Sequence, residues 1–230
     1  MTGPSSPPLL GVVANPVSAR DIRRVVANAG NLQITDRVNI VLRMLQAARA
    51  AGVGRALLMP DRGGIRALLE RHLRRGDATL PAIEWLNFEP TSTVDDSFTA
   101  ARLLQAAGAR AIVVLGGDGT HRAVVRELAG RPDAPPIAGL STGTNNAFPE
   151  MREPTITGMA VGLWAGGRIA PADALAPNKL VEVHIADALR GDRRDVAIVD
   201  AVVTHDRSVG ARALWKTGSL AAAYLAFAEP

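Results

Sequence analysis

Along most of the chain, short uninterrupted apolar runs alternate with stretches in which apolar residues recur every three or four positions. Residues 9–14 (LLGVVA) form one such run, and Asn15-Pro16 ends it, so a buried strand followed by a turn is predicted. Residues 22–30 carry a helical pattern with Arg23 and Arg24 to one side. Thr35-Asp36 can cap a helix that places Val38, Val41, Leu42, Leu45 and Ala48 in one stripe and stops at Gly52. Residues 55–59 read as a second strand closed by Pro60, and Ile65, Leu68, Leu69 and Leu73 mark a helix ending at Gly76. Residues 82–88 read as a third strand. Ser92-Thr93, with Asp95 and Asp96 behind them, open a helix through Ala107. A fourth strand, 111–115 (AIVVL), precedes Gly116-Gly117-Asp118-Gly119-Thr120 and a helix to Leu128. A fifth, 136–140, precedes Ser141-Thr142-Gly143-Thr144-Asn145-Asn146.

This alternation predicts an α/β fold, a doubly wound and mostly parallel sheet with continuously apolar strands buried on both faces. The pattern changes near Gly167. Residues 179–185 alternate apolar and polar positions, and residues 195–204 are rich in Val and Ile. They read as antiparallel strands around a turn at Arg190-Gly191-Asp192. A helix, or a loop and strand, carries Leu220, Tyr224 and Phe227. The expected organisation is an α/β domain over 1–167 and a smaller β-rich domain over 168–230. The stretch after Gly167 is short for a closed β-rich domain, so that domain is expected to be incomplete, with an exposed apolar sheet edge or an unfinished site.

Composition narrows the chemistry. The 230 residues hold no Cys, which excludes disulfides, thiolate metal sites and Cys nucleophiles, and suits a reducing cytoplasm. The 26 Lys and Arg against 22 Asp and Glu give a net charge of +4. Only Lys179 and Lys216 are Lys, and the Arg residues are scattered among acidic partners. No basic run is interleaved with aromatics, so a nucleic-acid partner is not expected. No apolar run is long enough to span a membrane. Self-association into a homo-oligomer stays open. Trp85, Trp164 and Trp215 are dispersed and are assigned to the core. His184 and His205 lie in the strand-rich tail without metal spacing, and His72 on a half-exposed helix face. His121 opens the helix after GGDGT within reach of a phosphate, and is read first as a surface cap.

Two turns carry the candidate chemistry. The consecutive glycines of GGDGT let backbone approach a ligand, and their N–H groups beside a helix start favour phosphate. Asp118 in such a turn fits Mg²⁺ binding or acceptance of a hydroxyl proton, and equally a helix cap. The hydroxyls and amides of residues 141–146 suit phosphate, ribose or a purine edge, and equally a capped turn. In parallel sheets ligands bind beyond the carboxyl ends of the strands, where both turns lie. No P-loop is present, because no Lys precedes Lys179. The dinucleotide fingerprint fails because Arg122 stands where its last Gly belongs. Gly139-Leu140-Ser141-Thr142-Gly143 satisfies the nucleophile-elbow pattern of serine hydrolases, but that elbow requires a helix directly after the Ser.

GGDGT and STGTNNAFP together resemble the NAD kinase and diacylglycerol kinase-like superfamily. The segments 13–30 (VANPVSARDIRRVVANAG), 59–64 (MPDRGG) and 203–215 (VTHDRSVGARALW) bring the chain close to the acetoin-catabolism branch of the ATP-NAD kinase family. The resemblance runs over residues 9–230. It implies an α/β domain and a β-rich domain with the active site between them, and ATP and Mg²⁺ as cofactors. Gly116, Gly117, Asp118, Gly119 and Thr120 would handle the nucleotide phosphates, with Asp118 as the base that activates the acceptor hydroxyl. Asn15 with the loop after it, and Thr142, Gly143, Thr144, Asn145 and Asn146, would line the nucleotide site. The segment Ile198-Val199-Asp200 is the counterpart of a strand whose Asn-Asp or Asn-Glu pair contacts the NAD ribose. Asp200 fits, and Val199 stands where the Asn belongs. NAD is the candidate acceptor. A lipid or other small hydroxyl compound, a nucleotide-binding regulator without transfer, and the serine hydrolase are the alternatives.

Overall fold

The computed structural model describes residues 7–16, 32–142, 146–149, 152–187, 189, 191–204 and 220–221. The predicted helix over residues 22–30 therefore lies outside the described residues, as do Gly143, Thr144, Asn145, His205, Trp215, Tyr224 and Phe227. Two compact units are formed, one by the described residues up to Lys179 and one by those from Leu180.

The first unit is built on five parallel strands: β1 (Leu9–Ala14), β2 (Arg55–Leu58), β3 (Ala82–Trp85), β4 (Ala111–Gly116) and β5 (Ile137–Ser141). Their spatial order is β3-β2-β1-β4-β5. All six residues of β1 and of β4 are buried, because helices cover both faces of the sheet. Side chains alternate between the faces with the period of two that a strand imposes. Leu10, Val12, Val113 and Leu115 pack with α1 (Ile34–Ala50), α2 (Ile65–Leu73) and α5 (Pro154–Ala165). Val13, Ile112 and Val114 pack on the other side with α3 (Asp95–Ala106) and α4 (Asp118–Leu128). Each fully buried Leu or Val contributes about 1.5–3 kcal/mol relative to exposure. A short helix, α6 (Pro171–Ala174), follows.

Several element ends differ from the sequence expectation. Helix α1 begins at Ile34, with Gln33 as its cap. Asp36 sits three residues into the box and accepts the Gln33 backbone N–H at 3.1 Å, so it closes the box rather than opening the helix. The third strand stops at Trp85 rather than at residue 88. Helix α5 was not anticipated, since its apolar residues run all round it without a helical period. Glu153 caps it by accepting the Ile156 N–H at 2.8 Å, and Pro154 supplies the preset first turn. That amide holds the Glu153 carboxyl below its usual range. Gly158 and Gly162 face α1. A Cβ at Gly158 would stand 2.1 Å from the Met44 carbonyl oxygen, and one at Gly162 would stand 2.6 Å from the Ala51 Cβ. Backbone-to-backbone contact between α5 and α1 requires these glycines.

In the second unit, β6 (Val181–Ile185) pairs antiparallel with β7 (Arg193–Ala197), around a turn in which Gly191 adopts φ +78°. The expected strand over residues 195–204 breaks after Ala197. Val181, the first residue of β6, is the partner of Ala197, so nothing extends the ladder. Ile198 and Val199 bend, and Val203–Thr204 (β8) then pairs antiparallel with Leu220–Ala221 (β9). Leu220 is thus in a strand rather than a helix.

Candidate functional site

The sheet order contains one reversal. From β1 the chain passes to β2 and β3 on one side, then crosses to β4 and β5 on the other. The carboxyl ends of β1 and β4 therefore border the switch point, where open α/β sheets bind ligands. Asn15 stands at one border and Gly116 to Thr120 at the other.

These residues are bound to one another. The Asn15 side-chain amide donates to the Thr120 hydroxyl at 3.0 Å, and the Asn15 backbone N–H donates to the Leu115 carbonyl at 3.0 Å. Gly116 allows the tight turn, because a Cβ there would meet the Thr120 side chain at 2.6 Å. Helix α4 starts at Asp118 with Gly117 as its cap residue, which has no side chain with which to cap its own helix. Thr120 lies inside the first turn rather than capping it. Space is open where a Cβ at Gly119 would sit. A helix start whose cap residue is glycine, with an exposed glycine beside it, presents N–H groups and positive dipole to an anion, which fits a nucleotide phosphate.

The second turn is drawn onto the first. The Thr142 N–H donates to the Gly116 carbonyl at 3.3 Å, and the Asn146 amide donates to Ser141 Oγ at 2.7 Å. A Cβ at Gly117 would stand 3.0 Å from Asn146 Oδ1. The Asp118 carboxylate joins the loops: Oδ2 accepts the Ala147 N–H at 3.0 Å and Oδ1 the Phe148 N–H at 2.9 Å. A carboxylate has about four acceptor positions, so both oxygens keep capacity for a cation or a proton. Among the described residues no group of three or more His, Asp or Glu stands together. A Mg²⁺ ion held mainly by phosphates and water needs only one or two carboxylates, and Asp118 fits that demand.

Two buried residues escaped the sequence reading. Arg37 is 2% exposed, and its guanidinium donates to the Asn15 carbonyl at 3.0 Å, fastening the end of β1. Its position on the face of Val41, Met44 and Ala48 was the available signal. His121 is fully buried, not a surface cap, and shares the face of Val124 and Leu128. Asp200 is exposed in the second unit, in the segment after β7 and outside any strand. Ser141 is followed by no immediate helix in the described residues, and the next helix begins at Pro154. The strand–turn–helix of a nucleophile elbow is not formed there. No helix among the described residues is long and apolar enough to cross a membrane.

A five-stranded parallel sheet with a glycine-rich turn at its switch point defines a doubly wound α/β domain. The family described as the ATP-NAD kinase N-terminal domain matches residues 10–168, and the chain belongs to this family. The acetoin catabolism protein X C-terminal domain matches residues 179–230. Over 226 residues the chain is 60% identical to the acetoin catabolism protein X of Cupriavidus necator. That match covers 97% of this chain and 62% of the relative, so the chain spans about 62% of the relative's length.

Proposed function

We propose that the chain is an ATP-dependent kinase of NAD-kinase type, which passes a phosphoryl group to a hydroxyl of NAD or a related small molecule in acetoin catabolism. The glycine-led start of α4, with Asp118 in its first turn and Asn15 across the switch point, is the observation that carries this reading. Backbone N–H groups at residues 117–119 hold phosphate oxygens, and Thr120, fixed by Asn15, keeps the turn closed behind them. Asp118 accepts the proton of the attacking hydroxyl, while its bonds to Ala147 and Phe148 keep the second loop against the first. Mg²⁺, when bound, neutralises charge on the phosphates. Residues 143–145 complete the nucleotide contact.

The test is NADP formation from ATP, Mg²⁺ and NAD by the purified chain. Asp118→Ala is expected to lower turnover at least about a hundredfold, the usual size of a general-base contribution. No NADP, together with ATP binding that Asp118→Ala leaves unchanged, would sink the reading. A nucleotide-binding regulator is the second reading, favoured because both Asp118 oxygens already accept backbone N–H groups. It requires calorimetric ATP binding without phosphate transfer to NAD or to any lipid or small hydroxyl acceptor run in parallel.

A further inference from the structure

His121 is the buried polar side chain nearest the phosphate turn that the proposed reaction leaves without a task. Its ring is fully buried. Nδ1 lies 3.0 Å from the Gly117 carbonyl. A carbonyl only accepts, so Nδ1 carries the proton and donates. Nε2 has no hydrogen-bond partner among the described residues. It points at Gly139 in β5, where a Cβ would stand 2.8 Å from it, and the ring meets Phe148 at 5.8 Å between centroids. One imidazole therefore touches the turn after β4, the strand β5 and the second loop.

The bond to Gly117 has a directional effect. In a trans peptide the C=O and the following N–H point opposite ways. The Gly117 carbonyl is drawn into the helix by the N–H groups of Thr120 at 3.0 Å and His121 at 3.2 Å, and by the His121 ring. The Asp118 N–H must then point out of the helix start, towards the switch point. We infer that His121 is a positioning residue that locks the Gly117–Asp118 peptide with its N–H facing the anion, and that Gly139 is the space this imidazole needs. The inference rests on the nucleotide reading for the identity of the anion.

Two substitutions separate positioning from mere filling of space. His121→Asn keeps a donor near the place of Nδ1 but leaves a void. His121→Leu fills the volume without a donor. Positioning predicts crossed rankings. His121→Leu melts higher of the two variants, yet its Kd for ATP rises at least about tenfold, the value of one oriented hydrogen bond, while His121→Asn stays within about threefold of wild type. A merely structural role predicts that affinity follows stability, with His121→Asn the weaker binder, and that result would overturn the inference. Nitrogen-15 NMR of the ring supplies a ligand-free readout: the Nδ1–H neutral tautomer is expected, and an Nε2–H tautomer or an imidazolium at pH 7 overturns it. A wrong tautomer overturns the inference even if wild type binds no ATP, an outcome that would itself remove the nucleotide reading.

Discussion

At the Asp118 carboxylate a single side chain serves two loops, and three residues on folding controls the charge state of His121. Burial pushes the His121 pKa below its usual 6.5; the Gly117 carbonyl, the Asp118 charge and the Val114 carbonyl oppose that shift without outweighing it. The unfolded chain therefore takes up a proton near pH 6.5 that the folded chain refuses, so the stability tied to this residue is complete above pH 6.5 and is lost as the pH falls. Thermal unfolding from pH 7.5 to 5 should show the wild-type midpoint falling more steeply than that of His121→Asn, which has nothing to titrate at this place. Parallel curves would show that the ring does not resist protonation. Residue types in the glycine-rich turn were legible because Gly and Asp there have few other uses. Arg37 and His121 were not, because a polar residue on an apolar stripe does not announce its partner. Those partners, the carbonyls of Asn15 and Gly117, are backbone atoms without a signature in the sequence.

At the scale of elements, the contact of α5 with α1 is the one most sensitive to a single methyl group. Gly158→Ala would drive a Cβ into the Met44 carbonyl, and neither backbone can yield without leaving the sheet. A loss of about 3 kcal/mol, at the upper end of overpacking costs, is expected in urea unfolding, with α5 separating from α1. A neutral effect would mean that the helices sit further apart. The strands of the parallel sheet and helices α1 to α4 could be read in advance, since each carries one clear period and a glycine or proline stop. Helix α5 could not: TITGMAVGLWA is apolar on every side, and its glycines look like breakers until the partner backbone is known. The antiparallel β6–β7 pair was legible, whereas the end of β7 depended on where its partner begins.

For the molecule as a whole, the two core clusters draw only on residues from Leu10 to Ala165. None of residues 180–187, 189 and 191–202 is buried. A chain ended after Lys179 should therefore unfold in one cooperative transition, followed by the fluorescence of Trp85 and Trp164, at a urea midpoint close to that of the same unit in the longer chain. Loss of cooperativity would show that the first unit leans on the second. The switch point needs strands from both halves of the first unit, and α5 comes after all of them in the chain. Synthesis runs from the amino end, so Met44, Ala47 and Ala51 leave the ribosome well before Gly158 and Gly162 are joined. For that interval the nascent chain displays an uncovered strip of α1, the kind of surface that holding chaperones recognise and that drives aggregation when translation stalls.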